Sequence, residues 1–147
     1  MPADVRQRLL GTPELAAKPR SKAKRPDLKK TAEDVFVLHC RAHKLPMFKR
    51  EYLFAKDLGR LWRFDFAWPE LHCALEVEGL VAMQARDGST LAGGRHATFQ
   101  GFEGDAVKYA TAAILGWSVL RFNQRLVTNG TAIDMTKDLL KARGWKA

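Results

Sequence analysis

Between residues 61 and 79 the chain alternates: Trp62, Phe64, Phe66 and Trp68 share one parity and Arg63, Asp65 and Ala67 the other. After Pro69-Glu70 the alternation resumes, with Leu71, Cys73, Leu75 and Val77 set against His72, Ala74, Glu76 and Glu78. A period of two marks β-strands. The stretch therefore reads as a hairpin turning at Pro69-Glu70, with four aromatics on one face and the acids Asp65, Glu76 and Glu78 on the other. A two-residue loop sets Asp65 against Ala74 and Arg63 against Glu76, leaving Asp65 and Glu76 as diagonal neighbours about 7–8 Å apart.

Helical spacing appears on both sides of this hairpin. Thr31 and Asp34 have the spacing of a capping box ahead of Val35, Phe36, Leu38 and Ala42, predicting a helix over about 32–44 that Leu45-Pro46 ends. Residues 48–54 read as a first strand. Residues 79–101 contain five glycines and no sustained period, and read as a long loop leaving the acidic strand. Phe102, Ala106, Tyr109, Ala110, Ala113 and Ile114 predict a helix with an Ala-rich face against a sheet, ended by Gly116 in a left-handed cap. Residues 117–122 form a short apolar strand, and Thr131 with Asp134 opens a last amphipathic helix running to Arg143. The order helix, three strands, helix, strand, helix predicts an α/β fold whose sheet mixes antiparallel and parallel pairs.

At 147 residues and 46% hydrophobic content the chain suits one domain, 31–147, preceded by an arm over 1–30. The net charge of +9 favours a polyanionic partner, nucleic acid above all. Much of that charge lies in the arm, where Lys18, Arg20, Lys22, Lys24 and Arg25 punctuate a Pro-containing tract. It reads as a flexible basic segment that contacts phosphates, the alternative being a solvated tail.

Two cysteines, Cys40 and Cys73, make no disulfide framework, and no apolar leader opens the chain, so a cytoplasmic protein is expected. No run approaches the ~18 apolar residues of a membrane helix, and no membrane partner is expected. His39 and His43 share a helix face beside Cys40, but a closed zinc site needs four convergent ligands, so no structural zinc is expected. Three acids on one sheet face in a cation-rich protein repel one another unless a divalent cation is their partner. Glu51, between Arg50 and Tyr52, reads as a solvated ion-pair partner, with a further carboxylate ligand as the alternative.

Four segments, 63–70 (Arg-Phe-Asp-Phe-Ala-Trp-Pro-Glu), 75–79 (Leu-Glu-Val-Glu-Gly), 94–96 (Gly-Arg-His) and 116–122 (Gly-Trp-Ser-Val-Leu-Arg-Phe), together resemble the PD-(D/E)xK nuclease superfamily. Within it the likeness is to small phage and bacterial proteins similar to the very-short-patch repair endonucleases, and it covers about residues 31–127. The resemblance implies a restriction-endonuclease-like αβββαβ core, a mixed sheet flanked by helices, with a C-terminal helix added. It further implies a DNA endonuclease that hydrolyses phosphodiester bonds with Mg²⁺, or Mn²⁺ in its place, cutting one strand or both.

By that motif Asp65 is the first acid and Glu76 the second, together holding the metal with the Val77 carbonyl. Glu78 stands where Lys is usual, leaving it a third ligand or a base, and Lys108 on the following helix is the candidate for the missing positive charge. His96 matches a functional histidine after a glycine-rich loop. Glu78 or His96 orients or deprotonates the attacking water, or protonates the leaving oxygen, and Lys108, Arg95 and Arg121 contact phosphates. Glu103 and Asp105 read as helix caps favoured by the dipole. The cysteine ligands of the repair enzymes' zinc site have no counterparts. The rival readings are a non-catalytic nucleic-acid binder on the same fold and a Holliday-junction-type resolvase, and the assembly expected is a monomer or homodimer.

Overall fold

The computed structural model describes residues 31–79, 82–84, 90–92 and 99–147. The elements are α1 (Ala32–Ala42), β1 (Lys49–Leu53), β2 (Arg63–Trp68), β3 (Cys73–Glu78), β4 (Ala82–Gln84), β5 (Thr90–Ala92), α2 (Phe99–Ile114), β6 (Ser118–Asn123), α3 (Gln124–Thr128) and α4 (Thr131–Ala142). Four strands form one sheet in the order β1-β2-β3-β6. β1, β2 and β3 pair antiparallel, and β6, reached through α2, lies parallel to β3. β4 and β5 pair antiparallel as a separate ribbon inside the stretch expected to be one loop. Arg95, His96 and the basic arm, with Lys18, Arg20, Lys22, Lys24 and Arg25, lie outside the described residues.

Helices cover both faces of the sheet. On one face Phe36 and Cys40 of α1, Val127 of α3 and Ala132, Ile133 and Leu140 of α4 enclose Phe66, Trp68, Cys73, Leu75 and Phe122. On the other, Ala112 of α2 meets Phe64, Ala67 and Ala74, with Tyr52, Phe54, Trp117 and Val119 around them. Small residues on both sides of that contact let α2 approach the strands closely.

The capping box at the head of α1 is formed: Thr31 Oγ1 accepts the Asp34 N–H at 3.2 Å, and the Asp34 carboxylate accepts the Thr31 N–H at 3.0 Å. Gly116 ends α2 with φ at 84°, in the left-handed region expected. The last helix differs in detail. Its N-cap is Gly130 and carries no side-chain bond, so Thr131 is the first helical residue and closes no capping box with Asp134.

The hairpin turn is longer than two residues. Pro69–Leu71 form a 3₁₀ turn and His72 closes it in the left-handed region at φ 50°, so Ala74 faces Ala67, and Trp68 faces Cys73. The register expected from Pro69-Glu70 alone is corrected by two positions. An even shift leaves every side chain on its original face, because strand side chains repeat with a period of two.

The expectation that Trp62, Phe64, Phe66 and Trp68 share one face is also corrected. Phe66 and Trp68 pack toward α1 and α4, whereas Phe64 joins the α2 side and Trp62 packs with Ala55 and Leu58. The break falls at Asp65. Opposite it on β1, Glu51 is left out of the ladder between the pairs Arg50↔Phe66 and Tyr52↔Phe64, and adopts φ 50°. A left-handed non-glycine residue interrupts the regular pleat of β1 at this point, while the β1–β2 register is the same on both sides of it.

Candidate functional site

On the α2 face the sheet changes character along its length. Ala67, Ala74 and Val119 make an apolar floor, and the next same-face positions outward are Asp65, Glu76 and Arg121. α2 lies over both parts. Ala112 covers the apolar floor, while Tyr109, Lys108 and Asp105, one and two turns earlier, face the charged end.

Asp65 and Glu76 come just past Phe66↔Leu75, the last pair of the β2–β3 ladder. Beyond it the Asp65 carboxylate replaces a backbone acceptor: Oδ2 takes the Val77 N–H at 2.8 Å. The Asp65 carbonyl in turn accepts from Arg50 Nε at 3.3 Å, beside the interruption at Glu51. Asp65 is thus buried and tied by both its backbone and its side chain. Backbone held in a rare conformation at such a point is a feature that clusters at functional sites.

Glu76 is engaged at both oxygens. Lys108 Nζ donates to Oε1 and the Tyr109 hydroxyl to Oε2. The Glu76 and Lys108 side chains are each only 12% exposed, so the pair is largely withdrawn from solvent screening. Glu78, two residues on, pairs with Arg121 of β6, and the same guanidinium lies 3.9 Å from the buried Asp105 carboxylate. The Arg121 guanidinium also lies 4.1 Å from the Tyr109 ring centroid. Burial pushes the Tyr109 phenol well above its ordinary range, reinforced by the Glu76 charge and hydrogen bond, so the hydroxyl remains a donor.

Five of the residues singled out in the sequence, Asp65, Glu76, Glu78, Lys108 and Arg121, thus meet at one end of one sheet face. Val77 takes part through its N–H. Glu51 makes the solvated ion pair expected, 3.8 Å from Arg63. Asp105 corrects the reading of it as a helix cap. α2 starts at Phe99, so Asp105 stands in the second turn and turns inward to Arg121.

Tyr109 has no functional assignment in the sequence reading. Its signal was present, since Asp105, Lys108, Tyr109 and Ala112 fall on one helical face. Of the apolar stripe expected to face the sheet, Tyr109 turns inward, whereas Ala106, Ala110 and Ala113 are exposed, as are Phe102 at 63% and Ile114 at 51%.

Among the described residues no three His, Cys, Asp or Glu side chains are grouped so as to hold a metal ion by themselves. Asp65 and Glu76 offer hard carboxylate oxygens from adjacent strands, just past the last pair of their ladder. An ionised carboxylate has about four lone-pair sites, and Mg²⁺ usually takes only one or two protein carboxylates, completing its shell with water and phosphate oxygens. Asp65 and Glu76 are donors of that kind, with Lys108 holding Glu76 Oε1 in this structure. Among the described residues no helix is long and apolar enough to cross a membrane. Comparison of the chain with protein-family models, curated proteins and solved structures returns no match.

Proposed function

We propose that the chain is a metal-dependent DNA endonuclease of the PD-(D/E)xK type. The observation that carries this reading is the placing of Asp65 on β2 and Glu76 on β3 just past the last pair of one ladder, with Asp65 bonded to the Val77 N–H and Glu76 bonded to Lys108 of the crossover helix. The usual motif puts its lysine two residues after the second acid. Here Glu78 fills that position and the ammonium reaches the same acid from α2. The net charge of +9 supports a polyanionic substrate.

Asp65 and Glu76 would hold Mg²⁺. A divalent ion bound there stabilises charge on the scissile phosphate and acidifies a water. Lys108, which pairs with Glu76 in this structure, would contact a phosphate oxygen of the substrate. Arg121, shared between Glu78 and Asp105, would reach a phosphate oxygen from this edge of the site, and Glu78 would orient the attacking water. His96 and Arg95 remain candidates on the resemblance alone.

The test is incubation of the full chain with linear, mismatched, branched and single-stranded DNA in Mg²⁺, Mn²⁺ or EDTA. Cleavage that needs the metal and disappears in Asp65→Asn is the expected result; no cleavage of any substrate would overturn the reading.

One observation favours a second reading, a non-catalytic nucleic-acid binder. Both Glu76 oxygens and the Glu78 carboxylate already have protein partners, as acids used structurally do. A binder of that kind gains no stability from Mg²⁺ or Mn²⁺, whereas a site that binds the ion only when folded must.

A further inference from the structure

Tyr109 meets Glu76 through its hydroxyl, and its ring faces two cations, with Lys108 Nζ at 5.3 Å and the Arg121 guanidinium at 4.1 Å from the centroid. A strand fixes where a glutamate starts but leaves its side-chain torsions to be set by neighbours. The two partners of Glu76 differ in what they do when a divalent cation approaches. The Lys108 ammonium carries like charge and is repelled. The Tyr109 phenol is neutral and donates to Oε2 without competing, so it stays. Two side-chain torsions and a ring held against Arg121 also make it a stiffer support than lysine.

Resting on the reading of Asp65 and Glu76 as ion ligands, we infer that Tyr109 is a positioning residue. Its phenol fixes the Glu76 carboxylate for a divalent cation, and its ring holds the Arg121 guanidinium against Glu78. The acid-x-acid pair of β3 is thereby oriented as a unit from a single residue of α2.

The experiment titrates the full chain with Mn²⁺, following free ion by electron paramagnetic resonance well below the melting temperature. Wild type, Tyr109→Phe and Tyr109→Leu are compared. Tyr109→Phe keeps the ring and its stack on Arg121 but loses the donor, and its Mn²⁺ Kd should rise by about tenfold or more, as when a partner that orients a metal ligand is removed. Tyr109→Leu loses the stack too and should bind Mn²⁺ at least as poorly. A purely structural tyrosine would lower the melting temperature in EDTA while leaving the Mn²⁺ affinity of the folded protein unchanged. Wild-type affinity in Tyr109→Phe therefore overturns the inference while the reading of the acids stands. Absence of Mn²⁺ binding in the wild type overturns both.

Discussion

The Asp65 carboxylate accepts the backbone N–H of Val77 at 2.8 Å, taking over where the β2–β3 ladder ends. This acid therefore has a structural task whether or not an ion is bound. Repulsion among the acids alone predicts that Asp65→Ala leaves the metal-free protein equally stable or more so. The hydrogen bond reverses that expectation. Asp65→Ala strips a strand N–H of its acceptor and should cost about 1–3 kcal/mol in urea unfolding with EDTA. Asp65→Asn keeps an acceptor oxygen and should lose much less, while both variants lose metal-linked stabilisation.

Glu76 and Lys108 should behave as a coupled pair. Removing either one leaves the other largely buried without its counter-charge, at a cost of about 3 kcal/mol or more. The double variant Glu76→Ala/Lys108→Ala should lose less than the two single losses combined. Additive losses in chemical denaturation would show the two side chains to be independent.

The strands and the helix order were legible in the sequence because Trp62–Trp68 and Leu71–Glu78 alternate and Thr31 and Asp34 announce α1. Gly116 marked the end of α2 for a backbone reason, a positive φ. Register was less legible: Pro69-Glu70 resembles a complete turn, and only the left-handed His72 shows the chain needs two more residues to reverse. The interruption at Glu51 left no compositional trace. The buried face of α2 was misread because hydrophobic periodicity assumes that the inward side is apolar. Here the inward side carries Asp105, Lys108 and Tyr109, since half of the floor beneath it is charged. The same circumstance hid the role of Tyr109.

The basic arm should add affinity without specificity. Residues 1–30 hold nine of the 25 Lys and Arg residues but only three of the 16 acids, so their removal takes the net charge from +9 to +3. Deleting them should weaken DNA binding and flatten the dependence of log affinity on log salt, which scales with the phosphates neutralised. An unchanged slope would assign phosphate contact to the folded domain.

His96 is expected to act in the chemical step. His96→Ala should slow single-turnover cleavage by ~10²-fold with nearly unchanged binding, and should flatten the rate profile near neutral pH. If the residue only holds a phosphate, the loss appears in affinity and His96→Arg restores most of it.

Burial pushes the Cys40 thiol up from 9.0 to about 12, only partly opposed by a backbone hydrogen bond, and raises Cys73 too, with Arg143 partly opposing. The folded state thus favours the neutral thiol. Its contribution to stability is complete below pH 9 and is lost as pH rises toward 12, by about 1.4 kcal/mol per pH unit for each proton released on unfolding. Cys40→Ala should make the alkaline fall in the urea midpoint shallower. Both thiols should react with a thiol reagent only after denaturation.

Ser118 pairs with Cys73 across forty-five positions of chain, and that parallel ladder brings Arg121 beside Glu76 and Glu78. Such distant pairing closes late, because a long loop must be ordered before its contacts reward it. Until it does, the hairpin carries its acids without the Lys108 and Arg121 that balance them. The cluster of Asp65, Glu76, Glu78, Lys108 and Arg121 cannot assemble from a fragment ending at β3, so in a chain still emerging during synthesis Glu76 and Glu78 wait for their cationic partners until the final sheet strand has docked.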